Sequence, residues 1–303
     1  PKYIPQETDQ TDQTAGSYTR SGLCPVAGRV VPASTLPVEP LADVKTQLKG
    51  APMGFRPLQT SPPSSQPALK TGGFAFQAGE QEQGDFAPED LQRLAQASLK
   101  SLDAALQLVQ QWQAAGHGLE DLYIHAIAPC ARLLGHWWRL DELDFAQVTI
   151  ASSNLQRVLH SLSASFCAPG ADQPTGLTLL LATEPQAQHT MGAFMLAEFF
   201  RRAGWSVQLL VPLDADDVLS HLRRDWYDAV GLSISTGRQL DALQGLMPRL
   251  RSESPNPQLS VLVGGPLALN QPEALDTLGV DLLGGDARRT VELLKHIVTA
   301  RRS

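Results

Sequence analysis

From position 86 onward apolar residues recur with a helical period. Between Pro88 and Ala115, the residues Leu91, Leu94, Leu99, Leu102, Ala105, Leu106, Val109 and Trp112 follow one another mostly at helical spacings, which predicts an amphipathic helix ended at Gly116 and Gly118. A second helical pattern from Leu119 to about Leu140 is more apolar, with Leu122, Ile124, Ile127, Leu133, Leu134, Trp137 and Trp138. A third runs from near Asp144 to Phe166, with Val148, Ala151, Leu155, Val158, Leu159, Leu162 and Phe166 along one stripe. Helices of this kind with short connections predict a small bundle over 86–168.

Beyond the Pro- and Gly-rich linker Cys167–Gly176 the period changes to strand and helix in alternation. Strands are predicted at Leu177–Ala182, Ser206–Val211, Ala229–Ser235, Ser260–Gly265 and Val280–Leu283. The intervening helices are predicted at Gly192–Ala203, Asp214–Arg224, Arg238–Arg251, Gln271–Leu278 and Asp286–Arg301. Short apolar strands alternating with such helices imply an α/β domain over 174–303: a flavodoxin-like (Rossmann-like) five-stranded parallel sheet covered on both faces. In such sheets ligands bind at the carboxyl ends of strands, beside a topological switch point. Residues 1–85, with runs such as PQETDQTDQTAGS and PLQTSPPSSQPALKTGG, are too poor in apolar residues to offset chain entropy and are predicted to be a disordered tail.

Charge and cysteine content narrow the class. The 24 Lys and Arg against 31 Asp and Glu give a net charge of −7, without the broad basic footprint of a nucleic-acid binder, so any DNA contact is expected to be indirect. The Arg pairs 201–202, 223–224, 288–289 and 301–302 read as solvated helix surface or as aids to a complex touching phosphates. No apolar run approaches the ~18 residues of a membrane helix, and Pro1–Gly16 is too polar for a signal peptide, so a cytoplasmic protein is expected. Cys24, Cys130 and Cys167 are far apart and lack C-x-x-C spacing, which argues against a disulfide framework or a structural zinc site.

Three strand ends carry candidate chemistry. The first predicted strand leads through Thr183-Glu-Pro-Gln-Ala-Gln-His189-Thr-Met-Gly192; the third ends in Ser233-Ile234-Ser235-Thr236-Gly237; the fourth ends in Gly264-Gly265. Taken singly, each is a turn. Taken together, a His, a hydroxylic patch and a Gly pair at neighbouring strand ends leave a slot with little side-chain bulk, suited to a long flat tail entering beside the His.

This arrangement resembles the cobalamin-binding domain of methionine synthase, mutases and cobalamin photoreceptors, whose order is Asp-x-His-x-x-Gly, Ser-x-Leu or a near variant, and Gly-Gly. The intervals here are 40 residues between Gly192 and Ser233 and 28 between Ser235 and Gly264. The resemblance implies a cobalamin cofactor (adenosyl-, methyl- or hydroxo/aquo-) with His189 as the lower axial ligand to cobalt. It further implies that Ser233, Ser235 and Thr236 line the buried nucleotide tail, with Gly192, Gly264 and Gly265 leaving it room. Ala187 stands where the family has Asp, so another acceptor, such as Glu184, Gln186 or a carbonyl, has to orient the imidazole.

The helices add two open readings. Thr149, Ser152, Ser153, Gln156 and His160 form an uncharged polar face broken only by Arg157, either ordinary surface or a face toward a polar ligand. Trp137 and Trp138 are either core or packed over the upper face of a corrin. The photoreceptor's upper-ligand His is absent from its expected place, where Val148-Thr149 stand, leaving His125, His136 and His160 as candidates. The stretch Leu134-Gly-His-Trp-Trp-Arg-Leu-Asp-Glu-Leu-Asp144, continuing to His160, is similar to the cap of the photopigment regulators of purple bacteria (AerR or PpaA type). It also resembles the C-terminal part of the antirepressor AppA, where such a module has been described as a haem sensor. The resemblance spans roughly Phe86 to Arg301. It implies a light-responsive, non-enzymatic antirepressor that contacts a repressor of photosynthesis genes of the CrtJ/PpsR type. Two alternatives remain: haem sensing through His189 or Cys24-Pro25, and a corrinoid methyl carrier serving methyltransferases.

Overall fold

The computed structural model describes residues 86–168, 174–185, 190–212 and 214–302. The tail assigned to 1–85, with Cys24, lies outside the described residues, as do Ala187 and His189.

The first predicted helix is two: α1 (Pro88–Lys100) and α2 (Leu102–Ala114). Ser101 interrupts them in an extended conformation, its Oγ accepting from Ala104 N at 3.1 Å. A serine hydroxyl competes with helix continuation by capping a new one, and the apolar period does not register that competition. The second predicted helix is continuous but changes pitch: α3 (Leu119–Asp121), a π-helical segment (Leu122–Ile127), then α4 (Ala128–Arg139). Pro129, in the first turn of α4, would press its ring on the carbonyl of His125 in a regular α-helix; widening that turn relieves the clash. Helix α5 (Phe145–Phe166) starts at a reciprocal cap, Asp144 Oδ1 accepting from Gln147 N at 2.8 Å and Gln147 Oε1 accepting from Asp144 N at 2.9 Å.

The second half runs β1 (Thr178–Ala182), α6 (Met191–Arg202), β2 (Ser206–Leu210), α7 (Ala215–Arg224), β3 (Ala229–Ser233), α8 (Gly237–Glu253), β4 (Ser260–Gly264), α9 (Pro266–Asn270), a 3₁₀ turn (Pro272–Leu275), β5 (Leu282–Leu283) and α10 (Ala287–Arg302). All five strands are parallel in the order β2-β1-β3-β4-β5, as expected for the flavodoxin-like class. The helix predicted at Gln271–Leu278 is instead only the 3₁₀ turn, preceded by the short α9, because Pro272 lacks the N–H that would carry α9 onward.

Alternate residues of each strand feed two cores. Leu179, Leu181, Ala229 and Leu262 face α6, α10 and the helical bundle, whose own core of Leu94, Val109, Tyr123, Leu155 and Phe166 is continuous with that layer. Leu180, Val230, Leu232 and Val261 face α7 and α8. At the amino edge of the sheet, Arg302 Nε donates to buried Asp228 at 2.9 Å, and Arg251 and Arg301 both bind Asp281. One arginine or more of each sequence pair is thus spent on an internal ion pair: Arg202 with Glu120, Arg223 with Glu253, Arg288 with Glu120 and Asp121. Cys130 is buried and free, its thiol pushed up to about 12 by burial. No helix among the described residues is long and apolar enough to cross a membrane.

Candidate functional site

Strand β1 pairs with β2 on one side and β3 on the other, so the connections leaving β1 and β3 diverge to opposite faces and open a crevice at their carboxyl ends. The sequence-predicted residues Ser233, Ser235, Thr236, Gly264 and Gly265 all come together there. Ser233 is half-buried at the end of β3, and its hydroxyl has no protein hydrogen-bond partner among the described residues; Ser235 and Thr236 are exposed. A Cβ placed on Gly192 or Gly237, in the first turns of α6 and α8, would meet no described atom within 4 Å, and one on Gly264 only the Gly284 Cα at 3.8 Å. None of the described residues requires glycine at these three positions, which leaves bare backbone at the crevice. Gly265 is different: its φ is +97° and a Cβ would lie 2.4 Å from the Ile234 carbonyl oxygen, so the turn itself demands glycine.

One residue missed by sequence reasoning ties this edge together. Gln239 Oε1 accepts from the backbone N–H groups of Ser235 and of Thr236, the latter at 2.9 Å, while its Nε2 donates to Glu184 on the loop leaving β1. The signal was present as Thr236-x-x-Gln239, the spacing of a helix cap.

The bundle roofs the crevice, as a register argument shows. Gln156 Nε2 lies 3.5 Å from Thr190 Oγ1, the His160 ring 4.4 Å from that of Phe194, and Ser163 Oγ donates to Glu198. Matched steps along both chains mean that α5 and α6 run parallel and side by side. Since α6 begins at Met191, the first half of α5 projects beyond it, by about 16 Å at 1.5 Å per residue from Phe145 to Gln156. That overhang carries Phe145 (42% exposed) and Ile150 (52%), with Leu140 (55%) in the turn before it. Below, at the carboxyl edge, stand Val211 (48%) and Leu269 (59%). Five of the six exposed large apolar side chains among the described residues thus gather at one end of the molecule; Trp226 alone is at the other.

The remaining predicted residues divide by height. Trp137 and Trp138, at the end of α4, are half-buried at the roof, and the Trp138 indole N–H is buried without a partner among the described residues. Thr149 donates its hydroxyl back to the Phe145 carbonyl at 2.7 Å, and Ser153 is exposed. His160 sits below the overhang with its ring against that of Phe194, and desolvation there lowers its pKa.

The family described as the B12 binding domain matches residues 177–295. A Rhodobacter capsulatus protein, described as an uncharacterized 20.5 kDa protein in the bchF-crtJ intergenic region, is 32% identical over 179 residues, 59% of this chain and 93% of that protein. The chain belongs to that protein's family, one with a B12-binding domain. Among solved structures, this B12-binding protein is similar to the Methanosarcina barkeri monomethylamine corrinoid protein, with a TM-score of 0.59 and 13% identity over 69% of this chain and 98% of the other, a likeness of fold. Cobalamin is its cofactor, and the crevice fits it: a hydroxyl without a partner among the described residues and bare glycines at the floor, exposed apolar side chains at the roof.

Proposed function

We propose that this B12-binding protein is a light-responsive transcriptional antirepressor of photosynthesis genes, without catalytic turnover. In this reading His189 is the lower ligand to cobalt, Ser233, Ser235 and Thr236 hold the nucleotide tail, and Gly264 leaves room for it. Trp137, Trp138, Phe145 and Ile150 cover the upper face. Bound alkylcobalamin supplies a cobalt–carbon bond weak enough to break in visible light. The protein's part is to read the change in bulk above the ring: with a smaller upper group, the overhang of α5 settles closer to the sheet edge. A partner that binds one arrangement more tightly then shifts the population toward it.

The observation that carries the reading is the overhang with its exposed apolar residues, a roof placed to sense what stands above the cofactor. The relative encoded between bchF and crtJ supports the regulatory role, because a CrtJ/PpsR-type repressor is the partner the sequence resemblance names. The net charge of −7 supports action through a protein rather than a direct grip on DNA. A corrinoid methyl carrier is the second reading, favoured by the fold likeness to the monomethylamine corrinoid protein. The absence of Asp at Ala187, a group suited to tuning cobalt through the histidine, weighs against it.

The test is to purify the full chain in darkness with adenosyl-, methyl- and hydroxocobalamin supplied, and to record absorption and binding to a CrtJ/PpsR-type repressor before and after green light. A light-dependent change in both, with the lower-ligand spectrum lost in His189→Ala, is expected. Repressor affinity indifferent to light, or methyl transfer to a thiol with a cognate methyltransferase, overturns the regulatory reading.

A further inference from the structure

Every side chain of α4 that stays exposed is a cation or an imidazole: Arg132, His136 and Arg139, with no Asp or Glu anywhere between Ala128 and Arg139. Their spacing of four and then three places them on one face, spanning about 10 Å along the helix. Arg202, Arg223, Arg288, Arg301 and Arg302 each reach a carboxylate; the two arginines of α4 do not. Arg132 enters no hydrogen bond or ion pair with a described residue. Solvent reaches its side chain, yet the surrounding protein desolvates it enough to lower its pKa, and no carboxylate opposes that shift. Arg139 Nη2 donates to His136 Nδ1 at 3.3 Å, its one bond among the described residues, which leaves Nε2–H of the neutral ring as a further donor. In a chain with 31 acidic residues against 24 Lys and Arg, this face offers donors only.

We propose that this face of α4 is where the repressor docks, and that the matching surface of the repressor carries Asp or Glu side chains. The inference rests on the antirepressor reading and adds to it the surface and its chemistry. A donor-only face is complemented by groups that only accept; ionised carboxylates do so, and they pair with a guanidinium through two parallel bonds. Phosphates accept too, but three side chains on one helix of a chain with net charge −7 do not make a surface that tracks a phosphate backbone. A second copy of this chain fits less well, since an isologous contact through α4 sets cation against cation. The position of the face gives docking a consequence. Trp137 and Trp138, which cover the upper face of the cofactor in the proposed reading, lie on the same helix between His136 and Arg139. A shift of the roof moves the docking face with it, and the repressor's different affinity for the two positions is what light changes.

The experiment titrates a CrtJ/PpsR-type repressor into the full chain with bound cobalamin by isothermal calorimetry, in the dark and after green light, at low and at physiological ionic strength. In the light state that binds more tightly, Arg132→Glu and Arg139→Glu are each expected to weaken affinity by about tenfold or more, and the double variant by about a hundredfold. Arg132→Gln/Arg139→Gln, which adds no acid beside the bundle, is expected to weaken it less and to flatten its salt dependence. Lys295→Glu, a like change of charge on the exposed side of α10, is expected to leave affinity within about twofold. Thermal unfolding and the cobalamin absorption spectrum are expected to match wild type in every variant, since all the altered side chains are exposed. If the double variant binds the repressor as tightly as wild type, or Lys295→Glu weakens binding as much, the docking face is overturned and the antirepressor reading stands. Unchanged repressor affinity with loss of binding to duplex DNA, or with loss of self-association on sedimentation, overturns it in favour of phosphate or of a second copy. A wild type that binds no repressor in either light state overturns both.

Discussion

The phenol of Tyr123 donates a 2.7 Å hydrogen bond to Oε2 of Glu198, joining the π-helical segment of the cap to α6 of the sheet domain. Ser163 of α5 donates to the other carboxylate oxygen, so a single carboxyl group, 1% exposed, is gripped from two cap elements. Because α6 begins at the crevice and ends at this joint, cap and cofactor floor share one rigid element.

Tyr123→Phe leaves the ring stacked on Phe166 but removes the bond to a buried charged group. The expected loss is about 1–3 kcal/mol of unfolding free energy, measured by urea denaturation. A variant as stable as wild type would show that the joint carries no energy.

The joint also sets a pH dependence. Burial raises the Glu198 pKa, with the Ser163 and Tyr123 hydrogen bonds and the Arg201 charge opposing that shift. A carboxyl group whose folded pKa exceeds its unfolded value stabilises the fold fully below the ordinary carboxylate range, and that contribution is lost as pH rises through the elevated folded value. Relative to Glu198→Gln, wild type is therefore expected to lose stability on going from acidic to neutral pH. Denaturation curves at several pH values, with no change in the difference between the two proteins, would refute this.

The two glycines after β4 separate folding from binding. Gly265→Ala forces a Cβ against the Ile234 carbonyl at a positive φ and is expected to cost more than about 2 kcal/mol, or to prevent folding. Gly264→Ala meets only the Gly284 Cα at ordinary contact distance, so the fold is expected to persist within about 1 kcal/mol while cobalamin affinity drops at least tenfold. Thermal unfolding of each apoprotein, with equilibrium dialysis against hydroxocobalamin, reads both quantities. Equal effects of the two substitutions would remove the tail slot from Gly264.

Ser233→Ala breaks no hydrogen bond among the described residues, so apoprotein stability is expected to stay within about 0.5 kcal/mol of wild type. Cobalamin dissociation is expected to strengthen in step with one lost neutral hydrogen bond, a factor of about 3 to 10. Unchanged affinity by dialysis would place the tail elsewhere.

What the amino-acid sequence determined by itself was whatever depends on neighbours along the chain. The helical stripe over 86–168 and the alternation after Gly176 specified a bundle and a parallel sheet, since burial of one face obeys a period of 3.6 or 2 whatever it packs against. The order His189, Ser233, Gly264 marked three strand ends, and the sheet topology brought the Ser and Gly ends to one edge. Only the tertiary structure decided the rest. The parallel register of α5 with α6 creates the overhang, Glu198 receives Tyr123 from 75 residues away, and Gln239 meets Glu184 across 55. No periodicity encodes such pairs. Each is settled by which polar groups must find a partner once the apolar faces have closed, and that question has an answer only in three dimensions.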